Sequence, residues 1–202
     1  MRMSKTGESA ADVVNSIPES KLANIIYNYG DERASRRIAR AISARRAQKP
    51  LIRTAELAQI VRSVLPRAQK GKSDPATRTF QALRIYVNNE IDELCDALLA
   101  SERILQEGGI LAVVSFHSIE DRIVKRFMRE RAGLSSQPSR HQPFLSDIKP
   151  TFRLSPQRPI SPEADEIKIN PRARSAKLRI AIRTAAAAKK AFDKHEMVNG
   201  RS

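Results

Sequence analysis

Residues 108–122, GGILAVVSFHSIEDR, decide the fold class that this sequence predicts. The apolar run at 110–114 follows a Gly-Gly turn and consists of residues that suit a sheet core, so it predicts a buried strand. Ser118 is predicted to cap a helix directly after this strand, with Asp121 completing a shortened capping box. The apolar face of that helix is Ile119, Ile123, Val124 and Phe127. A buried strand that leads straight into a helix indicates an α/β fold, in which ligands bind at the carboxyl ends of parallel strands.

The part of the chain before residue 105 carries helical patterns with recognisable end signals. Pro18 suits a first helical turn and Gly30 suits a left-handed cap. Between them apolar residues recur at helical spacing: Leu22, Ile25, Ile26 and Tyr29. Asp31 is predicted to cap the next helix, which has an apolar side and a strongly basic remainder. The arginines of that remainder are Arg33, Arg36, Arg37, Arg40 and Arg45. This basic face either follows RNA phosphates or is a solvated helix surface.

Two further helices are predicted in the same part. Thr54 begins one that Pro66 ends, and Asp74 begins a long one whose apolar stripe reaches Leu98. Four polar residues share another face of the long helix, because they lie three and four residues apart. They are Arg78, Gln81, Arg84 and Asn88. The basic loop at 67–73 between these helices is a candidate contact with phosphate.

Residues after 131 are predicted to form a long loop, a strand and a tail. Several prolines and a loss of periodicity indicate a loop at about 132–162. Residues 176–182 alternate in hydropathy as a strand does. From Thr184 onward, an alanine run followed by lysines predicts a frayed basic helix. The resulting division is a helical domain at 1–105, an α/β part at 106–184 and a basic tail at 185–202.

Composition restricts the kinds of partner and site. The formal net charge is +15 and the isoelectric point is near 10.6, a balance that attracts nucleic acid phosphates. The single cysteine, Cys95, excludes an internal disulfide and a Cys-based zinc site, and it is expected to pack as a small apolar side chain. No apolar run approaches the roughly 20 residues of a membrane helix. We therefore expect a cytoplasmic protein with a polyanionic partner, no membrane contact and no metal.

Six motifs are spread along most of the sequence, from residue 29 to residue 179. They are YGDER at 29–33, RIARAI at 37–42, RTAEL at 53–57, PATRTFQALRI at 75–85, the stretch at 108–122 and NPRARSAKLR at 170–179. With these motifs the chain resembles the bacterial RsmH (MraW) family. The resemblance implies an enzyme that uses S-adenosylmethionine to methylate N4 of a decoding-region cytidine in 16S rRNA. Its partners would be 16S rRNA and the small ribosomal subunit.

The resemblance also implies a fold. This would be a Rossmann-like class I methyltransferase sheet with a mainly helical inserted domain, of which this chain holds the carboxyl-terminal strands. The family carries a Gly-rich cofactor turn before the matching motifs, whereas the seven glycines here include no pair with Gly-x-Gly spacing. We therefore expect the carboxyl-terminal portion of such a protein, with the cofactor contacts upstream of Met1. Candidate partners are a separate amino-terminal half and a second copy of the chain.

Four residues at the end of the strand at 110–114 are candidate contacts of the target base: Ser115, His117, Ser118 and Asp121. The exocyclic amine of cytosine must lose a proton when it is methylated, and an imidazole accepts protons near neutral pH. His117 and Asp121 are therefore the candidate catalytic residues. The alternative is that the imidazole lies beside Asp121 and only holds the strand–helix turn together.

Two other groups of residues are candidate RNA contacts. The first is the polar helix face already described, with Arg78, Gln81, Arg84 and Asn88. The second is Asn170, Arg172, Arg174 and Ser175. Arginines grip phosphate bidentately, and the Asn170 amide offers a donor and an acceptor to a base edge. The alternative for the second group is a loop that pins the last strand through backbone hydrogen bonds.

Functions of another class stay open at this stage. The chain could be a noncatalytic RNA-binding or ribosome-associated module that keeps the basic surfaces, or an inactive remnant. Salt-sensitive binding to small-subunit rRNA without cofactor would favour the module. An in-frame coding sequence immediately upstream with a Gly-rich turn would favour the enzyme.

Overall fold

A computed structural model describes residues 1, 3, 6–66, 73–134 and 149–189 of the chain. The chain divides into two compact units, Met1–Glu90 and Ile91–Ser202. This division by compactness lies at Glu90, whereas the sequence predicts a domain boundary near residue 105. Residues 67–72 of the predicted phosphate-contacting loop and most of the predicted basic tail lie outside the described residues.

The first unit consists of helices in its described part. They are α1 (Ala10–Ser16), α2 (Glu19–Gly30), α3 (Ser35–Gln48), α4 (Thr54–Val64) and α5 (Thr77–Asn88), and α6 (Glu90–Ile104) begins at the last residue of the unit. Helix α2 packs against α3 and α5, and α4 packs against α3. The fully buried side chains of this core include Val13, Leu22, Ile26, Ile38, Ile42, Val61 and Leu83. The apolar stripes predicted for α2, α3 and α4 supply most of these side chains.

Local capping explains where two of these helices begin. The Ser9 hydroxyl accepts the Asp12 amide while the Asp12 carboxylate accepts the Ser9 amide, a reciprocal capping box at the start of α1. At the start of α4 the Glu56 carboxylate accepts the Arg53 amide. The predicted helix that Thr54 begins is therefore confirmed. Its end before Pro66 is confirmed as well.

The turn between α2 and α3 differs from its prediction. Gly30 is the last residue of α2, and Asp31 takes the left-handed conformation, with φ of 49°. Asp31 does not cap α3, which begins at Ser35 after an Ala34 that makes no side-chain cap. The Glu32 carboxylate instead accepts the Ala34 amide at 2.8 Å. Asp tolerates the left-handed region better than most side chains, which is why it could take the position predicted for glycine.

The predicted single helix from Asp74 to Leu98 is wrong, because the chain forms two helices there. Asn89 has a φ of 54° and separates α5 from α6. Its amide bonds back to the carbonyl of Tyr86 at 3.3 Å, which closes the end of α5. Arg84 and Glu90 then form a bidentate pair across this break, with both N–O distances 2.9 Å. The apolar stripe continues through the break, so hydropathy alone could not reveal it.

The second unit is an α/β arrangement in its described part. After α6 come β1 (Ile110–Ser115), α7 (Ser118–Arg131), β2 (Phe152–Leu154), α8 (Ala164–Ile169), a 3₁₀ helix (Pro171–Ser175) and β3 (Lys177–Arg183). The three strands form a sheet in the order β1-β3-β2, and both outer strands run antiparallel to β3. Helix α7 packs against all three strands. The predicted strands at 110–114 and 176–182 and the predicted apolar face of α7 are confirmed.

Three predictions for this unit are corrected. Strand β1 is not buried: Ile110 is 63% exposed and Val114 is 52% exposed, and its described pairing is antiparallel. The predicted loop at about 132–162 contains β2, whose first residue Phe152 is buried and stacks edge-on against Phe127 at 6.1 Å between ring centres. No helix occurs among residues 184–189, the described part of the predicted helical tail.

A buried polar network joins the end of α6 to the sheet. The Glu102 carboxylate lies 2.9 Å from the Arg131 Nε, and each side chain is only 2% exposed. The Thr151 hydroxyl donates to the other Glu102 oxygen at 2.6 Å. Arg183 of β3 donates to the backbone carbonyls of Glu102 and Thr151, both at 3.0 Å. Charges buried this deeply are tolerated because each faces a partner.

Two expectations from composition concern the role of Cys95 and the absence of a membrane helix. Cys95 is a buried free thiol on α6, as its predicted packing role requires. Among the described residues, no helix is both long enough and apolar enough to cross a membrane.

Candidate functional site

The strand–helix turn after β1 is held mainly by a histidine and a glutamate. His117, not Ser118, is the N-cap of α7: its Nδ1 accepts the Glu120 amide at 3.3 Å. The Glu120 carboxylate reaches back to the Phe116 amide at 2.9 Å. Its other oxygen lies 3.1 Å from the His117 Nε2. Both ring nitrogens of His117 therefore face Glu120.

Asp121 faces a different set of partners. Arg179 of β3 donates to both carboxylate oxygens, from Nε at 2.7 Å and from Nη2 at 3.0 Å. Lys177 adds a longer contact of 3.4 Å. The structure agrees with the alternative that His117 holds the strand–helix turn together, because its Nδ1 caps α7. The neighbour named in that alternative is wrong, since the ring pairs with Glu120 and the Asp121 carboxylate pairs with Arg179 of the sheet.

Ser115 ends β1 and lies inside the turn. Its side chain is 2% exposed, and its hydroxyl donates to the Lys177 carbonyl across the strand pair at 3.4 Å. Ser118, another predicted base contact, is exposed at the first position of α7. The structure thus brings Ser115, His117 and Asp121 to the same end of the sheet, as the sequence predicted.

The carboxylates of this turn are held in their charged form. Burial opposes ionisation of Glu120, but hydrogen bonds from His117 and from the Phe116 amide outweigh it and lower the pKa. Burial also acts against Asp121, and the hydrogen bonds and charges of Arg179 and Lys177 lower its pKa in turn. The turn is therefore an array of fixed charges at neutral pH.

Sequence reasoning missed Glu120, Lys177 and Arg179. Glu120 carried a usable signal, since it stands three residues after His117, which is the capping-box spacing. Arg179 carried none, because nothing local in the sequence shows which residues of β3 lie opposite the first turn of α7. That contact depends on the strand register, in which Val113 faces Arg179.

The segment at 170–175 is folded on itself. The Asn170 side chain accepts the Arg172 amide at 3.2 Å and so begins the 3₁₀ helix Pro171–Ser175. Arg172, Arg174 and Ser175 are exposed. Asn170 thus caps this turn, while the two arginines extend into solvent where an anion can reach them.

The predicted polar face of α5 is largely engaged within the first unit. Arg78 donates to the Asp31 carbonyl at 3.3 Å, and Gln81 donates to the Tyr29 carbonyl at 3.5 Å. Asn88 donates to the Arg84 carbonyl at 2.8 Å and accepts the Met3 amide at 2.7 Å. Arg84 is held by Glu90, as described above. Of these four side chains only that of Arg78 is exposed, so it is the most accessible to a ligand.

A basic pocket of about 240 Å³ lies on the second unit, between α7 and the chain that follows β2. Its cationic lining residues are Lys125, Arg129, Arg158 and Arg179, and no carboxylate is among the described residues that line it. Lys125, Arg129 and Arg158 are all exposed, and Arg129 also donates to the Leu134 carbonyl at 2.8 Å. The pocket has the charge and size to take a phosphate group.

Comparison with known proteins places these features in context. A family model described as the MraW methylase family matches residues 1–184. A ribosomal RNA small subunit methyltransferase H of Cereibacter sphaeroides is 56% identical over 190 residues, which are 94% of this chain and 57% of that protein. A protein of the same name from Paramagnetospirillum magneticum is 57% identical over 190 residues, 93% of this chain and 59% of the relative. One from Ruegeria sp. is 51% identical over 187 residues, 93% of this chain and 57% of the relative. The chain thus spans less than two thirds of the length of these relatives.

Proposed function

The chain belongs to the MraW methylase family, and from this membership we propose that it forms the rRNA-facing part of a methyltransferase that acts on the small ribosomal subunit. The relatives that share more than half of its residues are named ribosomal RNA small subunit methyltransferase H. The reaction proposed is transfer of a methyl group from S-adenosylmethionine to N4 of a 16S rRNA cytidine. The proposed location is the cytoplasm, where ribosomes are assembled.

The sheet topology supports a Rossmann-like class I fold for the second unit. Strands β1 and β2 both run antiparallel to β3, so they are parallel to each other, and α7 lies between them in the chain and packs on the sheet. A strand, a packed helix and a parallel strand form the repeating unit of α/β proteins. We propose that β1, β3 and β2 form one side of such a sheet.

The turn after β1 is the proposed contact with the target base. Ser115 and Ser118 flank His117 at the carboxyl end of β1, the end at which α/β proteins bind ligands. His117 accepts the Glu120 amide on Nδ1, which supports a positioning role for its ring rather than proton removal. Asp121 is proposed to position the same turn through Arg179. The base must leave its stack to reach any such pocket, at a cost of a few kcal/mol.

Exposed cations supply the proposed RNA contacts. Arg172 and Arg174 project from the 3₁₀ helix, and Arg78 projects from α5. The net charge of +15 provides a field that favours polyanions. Asn170, Ser175, Gln81, Arg84 and Asn88 are proposed to support these contacts by holding the segments that carry them.

The described residues around the end of β1 do not fit S-adenosylmethionine. Its ribose needs a carboxylate acceptor and its polar tail needs close backbone approach, yet Glu120 and Asp121 are both engaged by the turn and the sheet. The glycines at 108–109 lie at the opposite end of β1, where a Cβ on Gly109 would come within 2.8 Å of the Gln106 carbonyl oxygen.

A chimera tests the proposed function directly. The matching 190 residues of the Paramagnetospirillum magneticum relative are replaced by those of this chain. We expect the chimera to transfer labelled methyl groups from S-adenosylmethionine to small subunits that lack the modification. Mass spectrometry of the nucleosides identifies the product as N4-methylcytidine.

The 202-residue chain itself is the companion sample. A folded chimera that binds 16S rRNA and transfers no methyl group would contradict the proposed reaction. In that case salt-sensitive, cofactor-independent rRNA binding by the chain alone would support the noncatalytic RNA-binding module instead.

A further inference from the structure

The first unit carries an open pocket where the end of α2 meets the beginning of α5. Its volume is about 550 Å³, and it is lined by Tyr27, Asp31, Arg33 and Arg78. We propose that this pocket binds one unpaired ribonucleotide of an RNA substrate, with the base stacked on Tyr27. This inference rests on the proposed function, since it names where the RNA-facing part grips a single-stranded segment.

Tyr27 presents its ring to solvent although its neighbours are core residues. The side chain is 57% exposed, while Ile25 is 4% exposed and Ile26 is completely buried. The ring therefore contributes little to the core of the unit. Single exposed aromatic residues are common on protein surfaces, so exposure by itself carries no argument. Here, however, the ring forms one wall of a pocket that also holds two guanidinium groups.

Backbone geometry fixes the shape of the pocket. A Cβ on Gly30 would lie 2.7 Å from the Arg78 carbonyl oxygen and 3.3 Å from the Ala82 Cβ, so only glycine lets α5 approach this closely. Asp31 then turns the chain with a φ of 49°, and its carbonyl accepts the Arg78 side chain at 3.3 Å. This bond places the Arg78 guanidinium at the pocket wall before any ligand arrives.

Arg33 is presented by the same turn. The buried Glu32 side chain accepts the Ala34 amide at 2.8 Å and so fixes the backbone on either side of Arg33. The exposed arginines Arg36 and Arg40 follow on α3. A nucleic acid strand that enters the pocket can therefore continue along a basic helix face.

The lining chemistry matches a nucleotide part by part. An aromatic face stacks with any base, guanidinium groups hold phosphate, and a carboxylate accepts from base amino groups or from the ribose 2′-hydroxyl. A bare phosphate needs neither the ring nor the carboxylate. A duplex buries its base faces within its own stack, so the combination favours an unpaired ribonucleotide.

The absence of tryptophan from the sequence permits a direct optical test. Tyr27→Trp in the 202-residue chain introduces a single indole whose fluorescence a stacked base quenches. The matched control is Ile52→Trp, at a position that is 72% exposed and outside the pocket. Both variants are titrated with an unstructured oligocytidylate, while binding is measured independently by anisotropy of the labelled RNA.

We expect saturable quenching of Tyr27→Trp at the RNA concentrations that saturate anisotropy, and none for Ile52→Trp. Tyr27→Ala should weaken binding about tenfold or more, and Tyr27→Phe should bind as the native chain does. Arg33→Ala should lower the slope of log K against log salt by about 0.7, the value for one single-strand phosphate contact. Circular dichroism and thermal melting confirm that each variant is folded.

Three results would overturn the inference while leaving the proposed function intact. One is RNA binding that Tyr27→Ala does not weaken. Another is equal quenching by duplex RNA, and the third is displacement of the oligonucleotide by tripolyphosphate at equal charge concentration, which would mark an anion site only. Failure of the native chain to bind either oligocytidylate or 16S rRNA would count against the proposed function as well.

Discussion

Arg179 donates to both carboxylate oxygens of Asp121, at 2.7 and 3.0 Å, and so ties the first turn of α7 to the central strand of the sheet. Both side chains are nearly buried, with 12% and 13% exposure. The pair therefore orients the turn that carries the proposed base contacts. It links two segments that are 58 residues apart in the sequence.

Asp121→Asn should destabilise the second unit by about 1–3 kcal/mol, because it leaves the Arg179 guanidinium with a neutral partner that can accept only one of its two bonds. Urea unfolding followed by circular dichroism measures the change. The control is Asp165→Asn, which removes an exposed pair with Lys168 and should have little effect. Equal stability of both variants would show that the Asp121 pair contributes nothing.

Stability should fall in acid because of the same turn. The pKa values of Asp121 and Glu120 are lowered in the folded state, whereas in the unfolded chain these carboxyls have ordinary values near about 4. Folding therefore releases protons between the two values, so the stabilisation is complete above the unfolded pKa and is lost as pH falls through the folded pKa. Thermal melting between neutral and acid pH checks this. Asp121→Asn should flatten the profile, and an unchanged profile would contradict the assignment.

The substitution His117→Asn tests whether His117 acts as the cap of α7 or as a proton acceptor in methyl transfer. An Asn side chain can still accept the Glu120 amide, so we expect stability close to that of the native chain, while His117→Ala should lose about 1 kcal/mol. In the chimera His117→Asn should retain most of the methyl transfer, since both ring nitrogens already face Glu120. A loss of about a hundredfold in rate with unchanged stability would instead show that the imidazole takes part in the chemistry.

Gly30→Ala should destabilise the first unit by about 1–3 kcal/mol, because the new methyl group overlaps the backbone of α5. The contact involved is the 2.7 Å approach to the Arg78 carbonyl oxygen. Asn24→Ala, at an exposed position of the same helix, is the control and should not destabilise it. Hydrogen-exchange rates of the α2 and α5 backbone amides measure the stability of the first unit independently of the second. Unchanged exchange would mean that the two helices can move apart freely.

The basic pocket of the second unit should contribute phosphate contacts. Lys125→Ala and Arg158→Ala are each expected to weaken rRNA binding uniformly across sequences and to lower the salt slope by about 1. Arg103→Ala, an exposed arginine outside the pocket, controls for net charge. If all three variants lose affinity equally, the field of the whole chain binds RNA and the pocket has no special part.

Local patterns predicted the elements of the second unit better than their arrangement. The hydropathy patterns of residues 110–114 and 176–182 predicted two strands, and the spacing of apolar residues from Ile119 to Phe127 predicted α7. The exposure of β1 and its antiparallel pairing depend on β3, whose paired residues lie 62 to 72 positions later in the sequence, and local hydropathy does not show such contacts. The break at Asn89 was likewise invisible, because a left-handed residue interrupts the backbone without interrupting the apolar stripe.

The sequence predicted only part of the candidate site, because local patterns do not show which distant segments come together. Ser115 ends a strand and His117 and Asp121 follow it closely, and position at the end of a strand is a local property. The partners of Asp121 lie on another strand, so only the register could reveal them. His117 was assigned the wrong neighbour because histidine is seldom the residue that caps a helix.

The strand order also governs how the chain can fold while it is being made. The central strand, β3, is the last of the three to leave a translating ribosome, and each described outer strand pairs only with it. Chains emerge at about 5–20 residues per second, so β1 must wait several seconds with its apolar face exposed before its partner appears. The helices of the first unit need no such partner and can pack during that interval. The helical first unit can therefore fold first, whereas the sheet cannot form until β3 has been synthesised.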